Sequence, residues 1–132
     1  MKRRNFILLS SMTAAAISIP SINCRRRNQV LDKTLAQPFL LSHICDAKTI
    51  QAIGASYRQN LKTEETKDQF VDLLLIDTLG KSVPESSDIS FIQTLLEQKI
   101  RKDFKSGNTV TVKGFIISTT EARQCALFSL GQ

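Results

Sequence analysis

Apolar side chains recur at helical spacing along most of this chain. Ile50, Ile53 and Tyr57 fall at i, i+3 and i+7, and Asp46 stands where an N-cap belongs. Gly54 lies inside that helix at a propensity cost of up to about 1 kcal/mol, which predicts a close-packed neighbour there. Thr63 is the expected cap of a second helix, with Glu64 and Glu65 in its first turn, where negative charge is favoured. Phe70, Val71, Leu73, Leu74, Leu75, Ile76 and Leu79 make that segment apolar nearly all round, the mark of a central helix, and Gly80 ends it. A polar loop runs through Pro84. Ser87 then caps a third helix with Ile89, Ile92, Leu95, Leu96, Ile100 and Phe104 on one face, closed by Gly107.

The period then changes. Thr109 to Lys113 alternates every second residue, as a short strand does, and Gly114 breaks it. Phe115-Ile116-Ile117 reads as extended. Ser118-Thr119-Thr120-Glu121 is a capping box that opens a last helix through Leu130, burying Ala122, Cys125 and Ala126, with Phe128 as a further candidate. Upstream, Val30 to Leu41 reads as a connecting arm broken by Pro38, with Phe39, Leu40 and Leu41 docked on the core. The expected fold is mainly α. It is a small helical domain of about four helices over residues 38–132, with one short β-strand or hairpin before the last helix.

The first residues follow a different logic. Lys2, Arg3 and Arg4 precede an apolar stretch from Phe6 to Ile19 that is rich in Ala, Ser and Thr and stops at Pro20. This is the order of a signal peptide over residues 1–23, and the stretch is shorter than the ~20 apolar residues of a stable spanning helix. The alternatives are an uncleaved anchor or a core helix. Arg3, Arg4 and Phe6 match the twin-arginine export motif, whose route carries folded cargo. Lys2 stands where that motif usually has a polar residue. Ser21-Ile22-Asn23-Cys24 is a loose lipobox that would make Cys24 a lipidated first residue; the alternatives are ordinary cleavage nearby or a free thiol. Residues 24–37 then read as a lipidated basic linker. Arg25, Arg26 and Arg27 lie at the headgroups if Cys24 is lipidated, each adding ~1 kcal/mol of attraction to anionic lipid, or else form a solvated linker.

The charge supports this division. The formal net charge is +6, but six of the eighteen basic residues lie in the first 27, and the rest of the chain holds twelve basic and twelve acidic residues. A nucleic-acid-binding domain needs its basic excess on the folded surface, so the composition argues against that class. Cys45 and Cys125 stand as either a disulfide closing a loop of about 80 residues, a constraint of roughly 4–5 kcal/mol in the chain-entropy model, or two packed thiols. The only histidine, His43, lies two residues before Cys45. On a strand the two would share a face, but a Cys–His nucleophile also needs contact and an orienting third group. No metal-ligand spacing, Walker loop or dinucleotide fingerprint occurs. The expectation is therefore no catalytic, cofactor-binding or metal residue in this chain.

Gly114-Phe115-Ile116-Ile117-Ser118-Thr119-Thr120-Glu121-Ala122-Arg123-Gln124-Cys125-Ala126-Leu127 resembles the C-terminal signature of small twin-arginine-exported proteins of Gram-negative bacteria, Bacteroidetes especially. Leu41 to Asp46, Ile53-Gly54 with Tyr57, and Ile100 with Asp103-Phe104 are similar to that group as well. Phe115 replaces the Trp usual there, which would alter a surface contact. His43, Phe115, Glu121 and Arg123 are the signature residues expected to meet a partner. In size and export, though not in motif, the group is distantly similar to small subunits of membrane-associated flavin dehydrogenases. That layout implies a non-catalytic accessory subunit or export escort of a larger periplasmic oxidoreductase, membrane-anchored through Cys24 and carrying no cofactor of its own. The partner would be a larger exported protein, such as a flavin dehydrogenase, and nucleic acid would not be one. The alternatives are a stand-alone envelope lipoprotein that binds a partner or small ligand, and a small enzyme using His43 with Cys45.

Overall fold

A computed structural model describes residues 29–131. The signal segment, Arg3, Arg4, Phe6, Cys24 and Arg25–Arg27 lie outside the described residues. The order of elements is α1 (Gln29–Leu35), α2 (Phe39–Ile44), α3 (Ala47–Gln59), α4 (Lys67–Leu74), α5 (Ile89–Ser106), β1 (Thr109–Val112), β2 (Phe115–Ser118) and α6 (Thr119–Leu130). The protein is mainly helical, with a two-stranded antiparallel hairpin before its last helix. The described residues hold six helices where about four were expected.

The central element is α6, not the Phe70 helix. Thr119 to Gln124 are buried apart from Arg123, and Cys125, Ala126, Leu127 and Ser129 are buried too. Short side chains make this tolerable: Ala122, Cys125 and Ala126 let neighbouring helices come close. The closest is α3. A Cβ on Gly54 would overlap the Cys125 carbonyl and reach within 2.9 Å of the Ala126 nitrogen. Glycine is thus required at position 54 by space, since the backbones of the two helices touch there. Ile50, Ile53 and Tyr57 are buried with it, as their spacing predicts.

Local signals set the ends of most elements. The Asp46 side chain accepts from the Thr49 N–H at 2.8 Å, capping α3. Gly107, at φ 74°, closes α5. The hairpin pairs Thr109 with Ser118 and Val112 with Phe115, leaving Lys113 and Gly114 as a two-residue turn with φ 50° and 84°. Ser118 ends β2 and also caps α6: its Oγ accepts from the Glu121 N–H at 3.0 Å, while its N–H donates to Glu121 Oε1 at 3.1 Å. The hairpin therefore aims the chain straight into the core helix.

Several expectations change. The cap of α4 is Thr66, three residues later than Thr63, because Gln69 completes a capping box with it. That helix stops at Leu74; Ile76 pairs with Ser82 in a bridge, and Leu79 lies exposed in the turn between them. Asp88, not Ser87, precedes α5, and it makes no side-chain cap bond. The arm from Val30 to Leu41 is two helices. Leu31 and Leu35 are buried in the common core, so the domain begins well before residue 38 and the linker expected over 24–37 is packed structure from Gln29. Of Phe39, Leu40 and Leu41, only Leu41 docks; the other two point outward.

Substituting Gly54 by Ala should destabilise the protein by about 3 kcal/mol, because overpacking here displaces backbone and not a pliable side chain. Gly131→Ala, whose Cβ would meet nothing closer than 3.7 Å, should shift stability by less than about 0.5 kcal/mol. Urea unfolding of both variants reads the difference.

Candidate functional site

Two concave regions flank α6. The first is a polar cleft of about 240 Å³ where the end of α4, the last turns of α5 and the first turns of α6 meet. Its chemistry comes from α5. Leu95, Lys99 and Asp103 follow one another at i+4, so Lys99 and Asp103 continue the buried stripe of that helix as charged groups. Lys99 Nζ donates to the Leu73 and Leu74 carbonyls at 2.8 and 3.0 Å, where a cation meets the negative end of α4. Asp103 Oδ2 accepts from the Thr120 N–H at 2.9 Å and the Thr120 hydroxyl at 2.6 Å, at the positive end of α6. The other oxygen, Oδ1, accepts from Asn108 Nδ2 at 3.3 Å. The two charges of α5 thus satisfy the open ends of two neighbouring helices.

Arg123 lines the same cleft from α6. Its guanidinium lies near enough to the Tyr57 hydroxyl and to Lys99 for its charge to be felt at both. Burial, and secondly the Arg123 charge, draw the Lys99 ammonium down to about 8; Asp103 and Asp77 pull the other way. Burial pushes the Tyr57 hydroxyl up, against the pull of Arg123, with the Glu65 charge adding to the rise.

The second region is a groove of about 640 Å³ between α1, α2 and α5, with Gln124 of α6 in its wall. Leu96 and Ile100 line it beside the exposed Phe39 and Leu40, and Gln93, Glu97 and Arg101 supply polar side chains. Gln124 is 1% exposed. Its Nε2 donates to the Gln37 carbonyl at 3.3 Å, whereas its Oε1 is buried without a hydrogen-bond partner among the described residues.

The signature residues divide between these places and the core. His43 is exposed on α2, with Nδ1 2.7 Å from the Phe39 carbonyl and its ring 4.6 Å from that of Phe39. A carbonyl only accepts, so Nδ1 carries the proton in this contact. Cys45 follows as the extended cap of α2, its N–H donating to the Leu41 carbonyl at 2.8 Å. His43 and Cys45 therefore do not share a strand face, and no hydrogen bond joins them. Cys45 and Cys125 are free thiols, half-buried and buried respectively, which is the second of the two alternatives open for them. Burial pushes the Cys125 thiol up to about 12, with Glu121 and the nearby Cys45 adding; at neutral pH it is a packed thiol and not a nucleophile.

Phe115 is half-buried against the core. Glu121, 3% exposed, is committed to its cap. Glu121 and Arg123 are two apart on a helix and face different ways. Of the four signature residues, only Arg123 reaches a cleft. Among the described residues no three His, Cys, Asp or Glu side chains are grouped to hold a metal, and no helix is long and apolar enough to cross a membrane. Comparison with family models, curated proteins and solved structures finds no match.

Lys99, Asp103 and Gln124 were not singled out for chemistry from the sequence. The available signal was charge or amide at positions where the helical period demands apolar groups. Replacing Asp103 by Ala should cost about 1–3 kcal/mol by leaving the Thr120 N–H and hydroxyl unpaired; chemical unfolding measures it. Lys99 releases its proton more easily folded than unfolded, where its value is near 10.5. The wild type should therefore gain stability relative to Lys99→Met as pH rises from about 8 toward 10.5, with little relative change below pH 8. Paired urea titrations across that range test the sign.

Proposed function

We propose that this protein is a non-catalytic accessory subunit or export escort of a larger periplasmic oxidoreductase, exported folded by the twin-arginine route and anchored at the membrane through Cys24. One observation carries the reading: α2 holds the chain with a single buried side chain, Leu41, and turns Phe39 (68% exposed) and Ile44 (73% exposed) to the outside together with Leu40. Three large apolar residues on a six-residue helix, continuous with a groove lined by Leu96 and Ile100, are a costly surface for a domain that works alone. An apolar groove with a polar rim suits an amphipathic helix of the larger chain, the helix-in-groove mode of recognition. The catalytic cofactor would belong to that larger chain.

The leader residues Arg3, Arg4 and Phe6, the small size and the resemblance of residues 114–127 to exported proteins support the same assignment. A second reading, a stand-alone envelope lipoprotein holding a small ligand, is favoured by one feature of the groove. The unpartnered Gln124 Oε1 would accept from a ligand N–H or O–H.

The test is co-isolation from detergent-solubilised membranes of cells expressing the full chain. The expected companion is a flavin-containing dehydrogenase without a leader of its own. Its periplasmic amount should fall at least about tenfold when Arg3 and Arg4 are both changed to Lys, and the complex should be lost on Phe39→Asp with Ile44→Asp, variants that leave the core intact. A monomer that survives isolation alone, or a dehydrogenase whose export ignores the leader substitutions, refutes the escort.

A further inference from the structure

We propose that the polar cleft between α4, α5 and α6 binds a small oxyanion, a carboxylate or phosphate, on Arg123 with Lys99 and Lys102 beside it. The site is separate from the apolar groove and does not depend on the partner reading.

Arg123 is half-buried, its neighbour Tyr57 is a neutral phenol, and no carboxylate among the described residues lies within ion-pair distance of it. Lys99, half-buried next to it, brings a second positive charge, and Lys102 a third from the rim. Burying like charges together is unfavourable unless something negative joins them. The cleft has two carboxylates, whose charges act on Lys99, and neither forms an ion pair with Arg123 among the described residues. Asp103 accepts from Thr120 and Asn108. Asp77 Oδ1 accepts from the Leu79 and Lys81 amides at 2.9 and 2.8 Å.

The donors are not all spent. Lys99 Nζ uses two on the Leu73 and Leu74 carbonyls and keeps a third. Lys102 Nζ donates to the Thr78 carbonyl at 2.6 Å and has two more. Arg123 retains most of its planar fork, the geometry that matches a carboxylate or phosphate with two parallel bonds. Arg123, Lys99 and Lys102 therefore bring free donors to one cleft of about 240 Å³. A small organic acid or inorganic phosphate is the size of ligand that such a cleft admits. No covalent step is involved.

Inorganic phosphate and succinate are the probes, each titrated separately into the full chain at constant ionic strength with sodium chloride as balance. Backbone amide shifts are followed by NMR. Both anions should give saturable shifts centred on Thr78, Asn108 and Arg123 and should compete with each other; the tighter of the two identifies the phosphate or carboxylate class. Affinity should fall about tenfold or more in Arg123→Gln. It should fall about threefold in Lys102→Gln, whose side chain is exposed and gives up one surface bond, to the Thr78 carbonyl. Absence of saturable shifts up to about 50 mM of either anion, shifts centred elsewhere, or equal affinity in wild type and Lys102→Gln overturns the proposal. The last comparison decides even if Arg123→Gln fails to fold.

Discussion

The contact between the backbones of α3 and α6 at Gly54 constrains everything else in this domain. Helices held apart by side chains leave room for adjustment, whereas two backbones in touch do not. Because Gly54 lies against Cys125 and Ala126, the neighbours of α6 must carry the bulk: Ile50 and Ile53 from α3, Phe70 and Leu74 from α4, Ile92 and Leu96 from α5, Leu31 and Leu35 from α1. The large side chains surround a thin central rod. That arrangement also determines where polar chemistry can sit. The ends of α6 and α4 become buried helix termini, and termini leave backbone groups open. Asp103, Glu121 and Lys99 answer those groups, so charge is found inside the domain at the places where the backbone asks for it.

This gives a physical account of the resembling segments. Ile53, Gly54 and Tyr57 form the α3 side of the close contact. Asp103 holds the first turn of α6, and Ser118 with Glu121 closes its cap. Most of the pattern is thus a recipe for seating one helix, and only Arg123 departs from it by facing a cleft. A motif that looks like an interaction signature can be largely a packing rule.

The class of fold was legible because it rests on local signals: the helical stripes, the change to period two at Thr109, the turn at Gly114 and the capping box at Ser118. What escaped was the identity of the central helix. The Phe70 segment is the more apolar by composition, but Leu79 leaves it after a sharp turn, while α6 is buried through small residues that periodicity does not distinguish. Tertiary packing decides that question, and it brings together residues some 70 positions apart. The polar cleft escaped for a related reason. A lysine within an apolar stripe reads as an interruption until the ends of α4 and α6 are known to meet it. The short α1 was hidden by its length, since seven residues with two leucines give too little period to recognise.

The element on which the others pack follows them in the chain. During synthesis α1 through α5 emerge with their apolar faces turned toward a helix that has yet to appear, and the domain's contacts of greatest sequence separation form last. Anything that inspects the chain while it is being made meets open leucine and isoleucine surfaces; after Leu127 has joined, the core faces are closed and the α2 face with Phe39, Leu40 and Ile44 stays open. A factor that senses exposed oil therefore meets the whole core face on a nascent copy and only that narrower patch on a finished one.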